Sequence, residues 1–255
     1  MKVFTTGKSS FFSKLFSKSI QNIELVEIQS ETNRSSSEMK FNLNFLNEVT
    51  NESMIIHPAW NMNTRDYKSS WEINVKGSIN FFDSLSFDLK NKFIFVSTVS
   101  AHENALSIYG KHKYEVEEYI LNNSGLILKC GLLINEEDPF SEGFFANLYN
   151  LANKVPVIPN FSGNRDIYQI TKRENLQKSF YELANNQESF SKLNNCFVEK
   201  NYTFSELVKS VMDIDKKILN IPWFIGYYAS RFFELLKINF PIKSDSLLGI
   251  KEFKN

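Results

Sequence analysis

Across residues 1–135, short apolar runs alternate with stretches of helical pattern, and this alternation constrains the fold more than any other feature. Lys2–Thr5, Ile23–Ile28, Ser53–His57, Lys92–Ser97 and Gly125–Leu133 read as strands. Ser10–Ser19, Phe41–Val49, Asp66–Leu85 and Tyr109–Asn122 read as the helices between them, with Ser30–Ser37 as a polar loop. The run within Lys92–Ser97 is apolar without a break, as a parallel strand covered on both faces must be. Repeated βα units predict an α/β fold: a doubly wound parallel sheet with right-handed crossovers. Such sheets bind ligands at the carboxyl ends of their strands. Gly7, His57, Ala59, Ser97 and Thr98 all fall at strand ends of that kind.

From Glu136 onward the pattern changes. Pro139, Pro156, Pro159, Gly163, Pro222 and Pro241 break the chain into short elements. Helices are expected near Phe140–Lys154, Arg173–Asn185 and Phe204–Met212, with short strands near Val155, Ile167 and Cys196. Thr203 and Glu206 have the spacing of a helix cap and its third residue. The division predicted is a dinucleotide-sized core at 1–135 and a smaller mixed lobe at 136–255, free to interleave with the core sheet and placed where substrate would sit. Pro222–Leu236 is rich in aromatics and reads as a helix packing this lobe, with a membrane-surface role as the alternative.

Composition removes several function classes. Lysine plus arginine and aspartate plus glutamate both number 29, so no general field draws nucleic acid or an anionic membrane. No apolar stretch reaches the length of a membrane span. His57, His102 and His112 are scattered, and Cys130 and Cys196 fit no zinc or disulfide spacing, so no metal site is expected. Buried free thiols fit a reducing, cytoplasmic setting. Met1–Gly7 reads as a strand and turn rather than a signal peptide; Phe11–Lys18 is basic and amphipathic, but its place after that turn explains it better than a transit peptide does.

The chemistry-bearing stretch is Tyr109-Gly110-Lys111-His112-Lys113. Tyr109 and Lys113 are four residues apart and share one helix face. An ammonium beside a phenol favours the phenolate, so the spacing predicts a lowered tyrosine pKa and an acid/base group. Thr98 ends the buried strand before it, where a hydroxyl can orient a substrate carbonyl or alcohol. Asn74 and Gly77 lie in the long helix, where a polar side chain could hold a water behind the site. Gly7 starts a strand-to-helix turn whose helix amino end suits a phosphate. Ser10 and Ser13 follow at the spacing where such loops usually carry glycine, and a serine hydroxyl can reach a phosphate.

Taken together, Thr6-Gly7 with Ser10 and Ser13, His57-Pro58-Ala59, Asn74-Val75-Lys76-Gly77, Val96-Ser97-Thr98 and Tyr109 to Lys113 resemble the short-chain dehydrogenase/reductase superfamily in order and spacing. The branch they are most similar to is the extended NAD-dependent epimerase/dehydratase family. Thr203–Leu207 and Ser244–Leu248 resemble that family's last helices more loosely. The resemblance implies a Rossmann-type sheet and an NAD or NADP cofactor. Tyr109 would then be the acid/base, Lys113 would hold the nicotinamide ribose, Thr98 would position the reacting oxygen, and Asn74 would support proton relay. Gly7, Lys8, Ser10, Phe11, Phe12, Arg34, His57 and Ala59 would line the cofactor. The second strand ends Ile28-Gln29-Ser30 without an aspartate for a ribose, while Lys8 and Arg34 could meet a 2′-phosphate, which favours NADP. Lys129-Cys130 stands where the family often has Arg-Pro, and Cys130 reads as a packing residue rather than a nucleophile. The implied substrate is a nucleotide-linked sugar in surface polysaccharide assembly. Thr98-Val99-Ser100 lacks the acidic residue of a dehydratase, which leaves epimerase or ketoreductase chemistry. A nucleotide-sensing or scaffold protein with little turnover, a reductase outside sugar metabolism, and a homodimer all stay open.

Overall fold

The computed structural model describes residues 1–31, 39–62, 66–163, 165, 167–185, 192–236 and 242–252. In chain order the first half runs β1 (Lys2–Thr6), α1 (Phe11–Ser19), β2 (Glu24–Ile28), β3 (Met54–His57), α2 (Tyr67–Ser70), α3 (Gly77–Asp83), α4 (Phe87–Lys90), β4 (Phe93–Thr98), α5 (Ile108–Asn122) and β5 (Leu126–Cys130). The second half adds β6 (Leu132–Leu133), α6 (Gly143–Lys154), β7 (Val157–Asn160), β8 (Ile170–Thr171), α7 (Arg173–Asn185), β9 (Leu193–Cys196), α8 (Phe204–Glu206), β10 (Lys217–Asn220), α9 (Trp223–Leu235) and α10 (Ser244–Glu252).

Six strands form one parallel sheet in the order β2-β1-β3-β4-β5-β9. The order reverses between β1 and β3, so β1 and β3 flank the crevice where a doubly wound sheet takes its ligand. Alternation along the strands feeds two cores. Val3, Ile56, Ile94, Val96 and Leu128 face α1 and α7, meeting Phe12, Phe16, Leu176 and Phe180. Phe4, Ile55, Phe93, Phe95 and Ile127 face the other way, onto Val75, Phe81, Phe82, Val116 and Ile120. A third cluster, including Ile134, Phe145, Ile158, Ile170, Phe204 and Leu207, fills the region beyond the sheet, beside two small parallel pairs, β10–β7 and β6–β8.

Three elements differ from expectation. The strand predicted over Gly125–Leu133 is cut at Gly131, because a side chain there would meet the Gln169 carbonyl oxygen at 2.3 Å. The chain therefore leaves the main sheet after Cys130 and pairs β6 with β8. The helix expected over Phe41–Val49 is a short 3-10 turn, Leu43–Glu48, preceded by a bridge between Ser30 and Phe41. The long helix contains a π-helical stretch, Trp71–Lys76, between α2 and α3. Gly77 follows it because a Cβ there would lie 2.8 Å from the Met39 side chain.

Candidate active site

The loop after β1 turns on Gly7, whose φ of 65° suits a residue without a Cβ. A Cβ on Gly7 would also sit 3.4 Å from Ala59, so the two strand ends at the switch point close on each other here. The serines behave differently from expectation. Ser13 is buried, and its hydroxyl donates to the Gly7 carbonyl at 3.1 Å. Ser10 caps α1 by accepting from the Ser13 amide, and its hydroxyl donates to that of Ser13. Both hydroxyls are spent closing the turn rather than aimed outward. The amides of Phe11 and Phe12, the first two of α1, have no carbonyl partner within the helix and remain suited to an anion. Phe12 itself packs inward and stacks on Phe16. Lys8 is exposed beside the turn, and Arg34 lies outside the described residues.

His57 does not line the crevice. It is fully buried at the end of β3, with Nδ1 2.7 Å from the Thr6 hydroxyl and Nε2 2.9 Å from the Ser78 hydroxyl. Burial, with the Lys113 charge, lowers its pKa to about 3, so the ring is neutral. Thr6 also accepts from the Ala59 amide at 3.3 Å, so His57 acts by fixing Thr6 and, through it, Ala59. Asn74 is likewise buried and committed. Its amide side chain accepts from the Asn61 amide at 2.7 Å and donates to the Asn61 carbonyl at 3.1 Å. It pins the loop that follows β3.

Tyr109 opens α5 as a half-buried residue, and Thr98 ends β4, where its hydroxyl accepts from the Ser100 amide at 3.4 Å. Lys113 is buried one turn further along. Its ammonium donates to the Val96 carbonyl at 2.7 Å and lies over the rings of Trp60 (4.2 Å) and Phe95 (4.4 Å). A desolvated ammonium needs such acceptors, and the strand end and two ring faces supply them. The expected lowering of the tyrosine pKa is therefore reversed. Burial, then the nearby Cys130, push Tyr109 up to about 12, against the Thr98 contact. Burial lowers Lys113 to about 7, with Cys130 and Glu117 acting the other way. Cys130 faces Cys196 across β5 and β9; that contact and burial raise its pKa well above the usual thiol range, which suits packing and not nucleophilic attack.

Four further residues shape the site. Glu117 continues the Tyr109–Lys113 spacing by another turn, and that repeat was the signal for it. It is buried, accepts from the Ser97 hydroxyl at 2.6 Å and pairs with Lys129 at 2.9 Å. Lys129 in turn donates to the Ala101 carbonyl at 2.8 Å, tying down the loop that leaves Thr98. Trp60 sits edge-on to Tyr109 at 6.0 Å as well as over Lys113. Asp245 of α10 accepts from the backbone amides of Ile108 (2.6 Å) and Tyr109 (3.3 Å), where a carboxylate complements the helix amino end. Nothing local to Asp245 in the sequence announces that contact. Two clefts of about 330 and 310 Å³ lie in the second half of the chain, and neither is lined by Thr98, Tyr109 or Lys113. Among the described residues no His, Cys, Asp and Glu group could hold a metal ion, and no helix is long and apolar enough to cross a membrane.

No family model matches the sequence, and no curated protein matches it. Solved structures do. The chain is similar to a dTDP-4-dehydrorhamnose reductase from Clostridium acetobutylicum, with a TM-score of 0.66 at 15% identity over 98% of this chain and 97% of that one. A dTDP-4-dehydrorhamnose reductase from Bacillus anthracis, in complex with NADP, gives 0.65 at 14% identity over 99% and 98%. A UDP-Glc/GlcNAc 4-epimerase from Campylobacter jejuni gives 0.57 at 14% identity over 87% and 86%. The chain thus shares the fold of these structures, an α/β Rossmann-like parallel sheet flanked by helices.

Proposed function

We propose that the protein is an NAD(P)-dependent reductase or epimerase that acts on a nucleotide-linked sugar by hydride transfer, in surface polysaccharide assembly. The observation that carries this reading is the buried Lys113, one helical turn from Tyr109, which donates to the Val96 carbonyl two residues before Thr98 at the carboxyl end of β4, next to the β1–β3 switch point. The cradle fits a dinucleotide: Gly7 brings backbone close to Ala59, and the α1 amino end opens beside it. Gly7, Lys8 and the amides of Phe11 and Phe12 would hold the phosphates. The nicotinamide, when bound, supplies the hydride. Tyr109 exchanges the proton with the substrate oxygen, and Thr98 orients that oxygen. Lys113 supports the tyrosine from below, and Asp245 and the Glu117–Lys129 pair hold the frame. Residues 136–255 supply the substrate side. There Arg165 donates through Nε to the Ser162 carbonyl and leaves a buried Nη1 with no partner among the described residues, which suits a substrate phosphate. Lys172 is instead paired with Glu136.

A second reading is favoured by a specific observation: the Ser10–Ser13 bonds close the phosphate loop on itself, and Tyr109 is raised rather than lowered. Those are features of a nucleotide-sensing or scaffold protein with little turnover. Denaturing the purified protein and assaying released nicotinamide nucleotide, then testing turnover of Tyr109→Phe, separates the readings. Bound nucleotide with Tyr109-dependent turnover supports the enzyme; bound nucleotide without turnover supports the sensor.

A further inference from the structure

Helix α9 turns small and polar residues inward beside the half-buried Trp223, Tyr227 and Phe233. Gly226 faces the protein, where a Cβ would meet the Phe161 ring at 2.5 Å. Ser230 is fully buried, and its hydroxyl finds no partner among the described residues. Glu234 accepts from the amide and hydroxyl of Ser244, at 2.8 and 2.7 Å. The small and polar residues therefore point inward. Outward point Ile225 (50% exposed), Tyr228 (68%), Phe232 (58%) and Leu235 (72%), flanked by Phe224 and Leu236, with Arg231 at the margin.

The outward residues follow a spacing of three, four and three. That is the spacing of a helix seam, in which alternate steps of three and four keep side chains facing a second helix. A lipid surface would select a different pattern, with lysine and arginine massed along the polar side of the helix. Here the opposite side packs on the protein through Gly226, the buried Ser230, Glu234 and the half-buried Trp223, Tyr227 and Phe233, and carries no lysine or arginine. The exposed area also decides. Six large apolar side chains at these exposures present about 700 Å², taking 150–250 Å² as the extent of a large side chain. That exceeds the largest apolar patch of a typical monomer. It approaches the roughly 800 Å² that each partner contributes to a standard stable interface.

We infer that α9 is the interface of a homodimer in which two copies of the helix pack antiparallel about a twofold axis near Tyr228 and Phe232. The stripe is self-complementary in that arrangement, because Ile225 then meets Leu235 of the partner subunit and Tyr228 meets Phe232 of the partner subunit. The pairing lies one element away from the crevice, since Glu234 of α9 holds Ser244 and the adjacent Asp245 holds the Tyr109 amide. The inference stands on the α9 surface alone and is independent of the cofactor reading.

Sedimentation of the full chain at low micromolar concentration tests it. The expected result is a species of twice the 29.7 kDa chain mass. Phe232→Glu combined with Tyr228→Glu should weaken the dimer by about 100-fold or more, with the circular dichroism spectrum unchanged because both positions are exposed. A wild-type chain that sediments as a monomer overturns the inference, as does a variant that stays dimeric. A monomer that floats with phosphatidylglycerol vesicles overturns it too, and would assign the stripe to a lipid surface.

Discussion

Helices α5 and α9 break the ordinary helix pattern in opposite directions. Helix α5 buries charge and polarity: His112, Lys113 and Glu117 all lie inside. Helix α9 buries a glycine and a serine and exposes one stripe of large apolar side chains, while Trp223, Tyr227 and Phe233 are half-buried. Both cost folding stability, since unpaired buried charge and wetted apolar surface are each unfavourable. The difference lies in where the compensation comes from. For the two charges of α5 it is internal: a carbonyl and two rings for Lys113, a serine and a lysine for Glu117, while His112 meets the Ser70 hydroxyl through Nδ1 and keeps a buried Nε2 without a partner among the described residues. In α9 no compensation exists within the described chain. An internally satisfied polar face is a site; an unsatisfied apolar face is a surface awaiting a partner.

Four changes sharpen or break that contrast, beginning with the largest effect. Tyr109→Phe should lower turnover about 10³-fold while leaving nicotinamide nucleotide affinity nearly unchanged, read by steady-state kinetics beside equilibrium binding. Unchanged turnover would remove Tyr109 as the acid/base. Next, Glu117→Ala leaves Lys129 unpaired and should cost about 3 kcal/mol in a denaturant titration. A loss under about 0.5 kcal/mol would mean that the pair does not hold the frame.

The third change concerns pH. Burial depresses the folded pKa of Lys113 to about 7, below its ordinary value. Over the range between those two values the unfolded chain binds more protons than the folded one, so stability contributed at this position rises with pH upward from about 7. Lys113→Met should flatten that rise in melting curves, and an unaltered pH dependence would contradict the burial argument. The smallest effect is expected on α9. Phe232→Ser should change chain stability by less than about 0.5 kcal/mol under conditions that keep the protein monomeric, because the ring contributes little to its own chain. A large loss there would place Phe232 in the core and remove the contrast with α5.

Much of the frame was legible from periodicity. The alternation of strands and helices predicted the parallel sheet, and the shared face of Tyr109 and Lys113 lies where Lys113 reaches the end of β4 at Val96. Local spacing places residues on a face but does not say what that face meets. Tyr109 and Lys113 share a helix face, yet Lys113 reaches under it to Val96 because a strand carbonyl lies within reach of its stem. Ser10 and Ser13 stand at the glycine positions, but the Gly7 carbonyl and a helix cap claim their hydroxyls. His57 and Asn74 proved to be braces, since each finds its partners in backbone or hydroxyls from distant segments. Asp245 was hidden most completely: it acts on Tyr109 from the far end of the chain.

The central claim, that the crevice between β1 and β3 takes a nicotinamide nucleotide beneath Tyr109, is tested most directly by equilibrium binding of NADH and NADPH to the purified chain. Micromolar binding of at least one, retained in Tyr109→Phe and lost in Gly7→Val, where a branched side chain would crowd Ala59, is the expected result. Absence of binding to either nucleotide, or equal affinity in Gly7→Val, would contradict it.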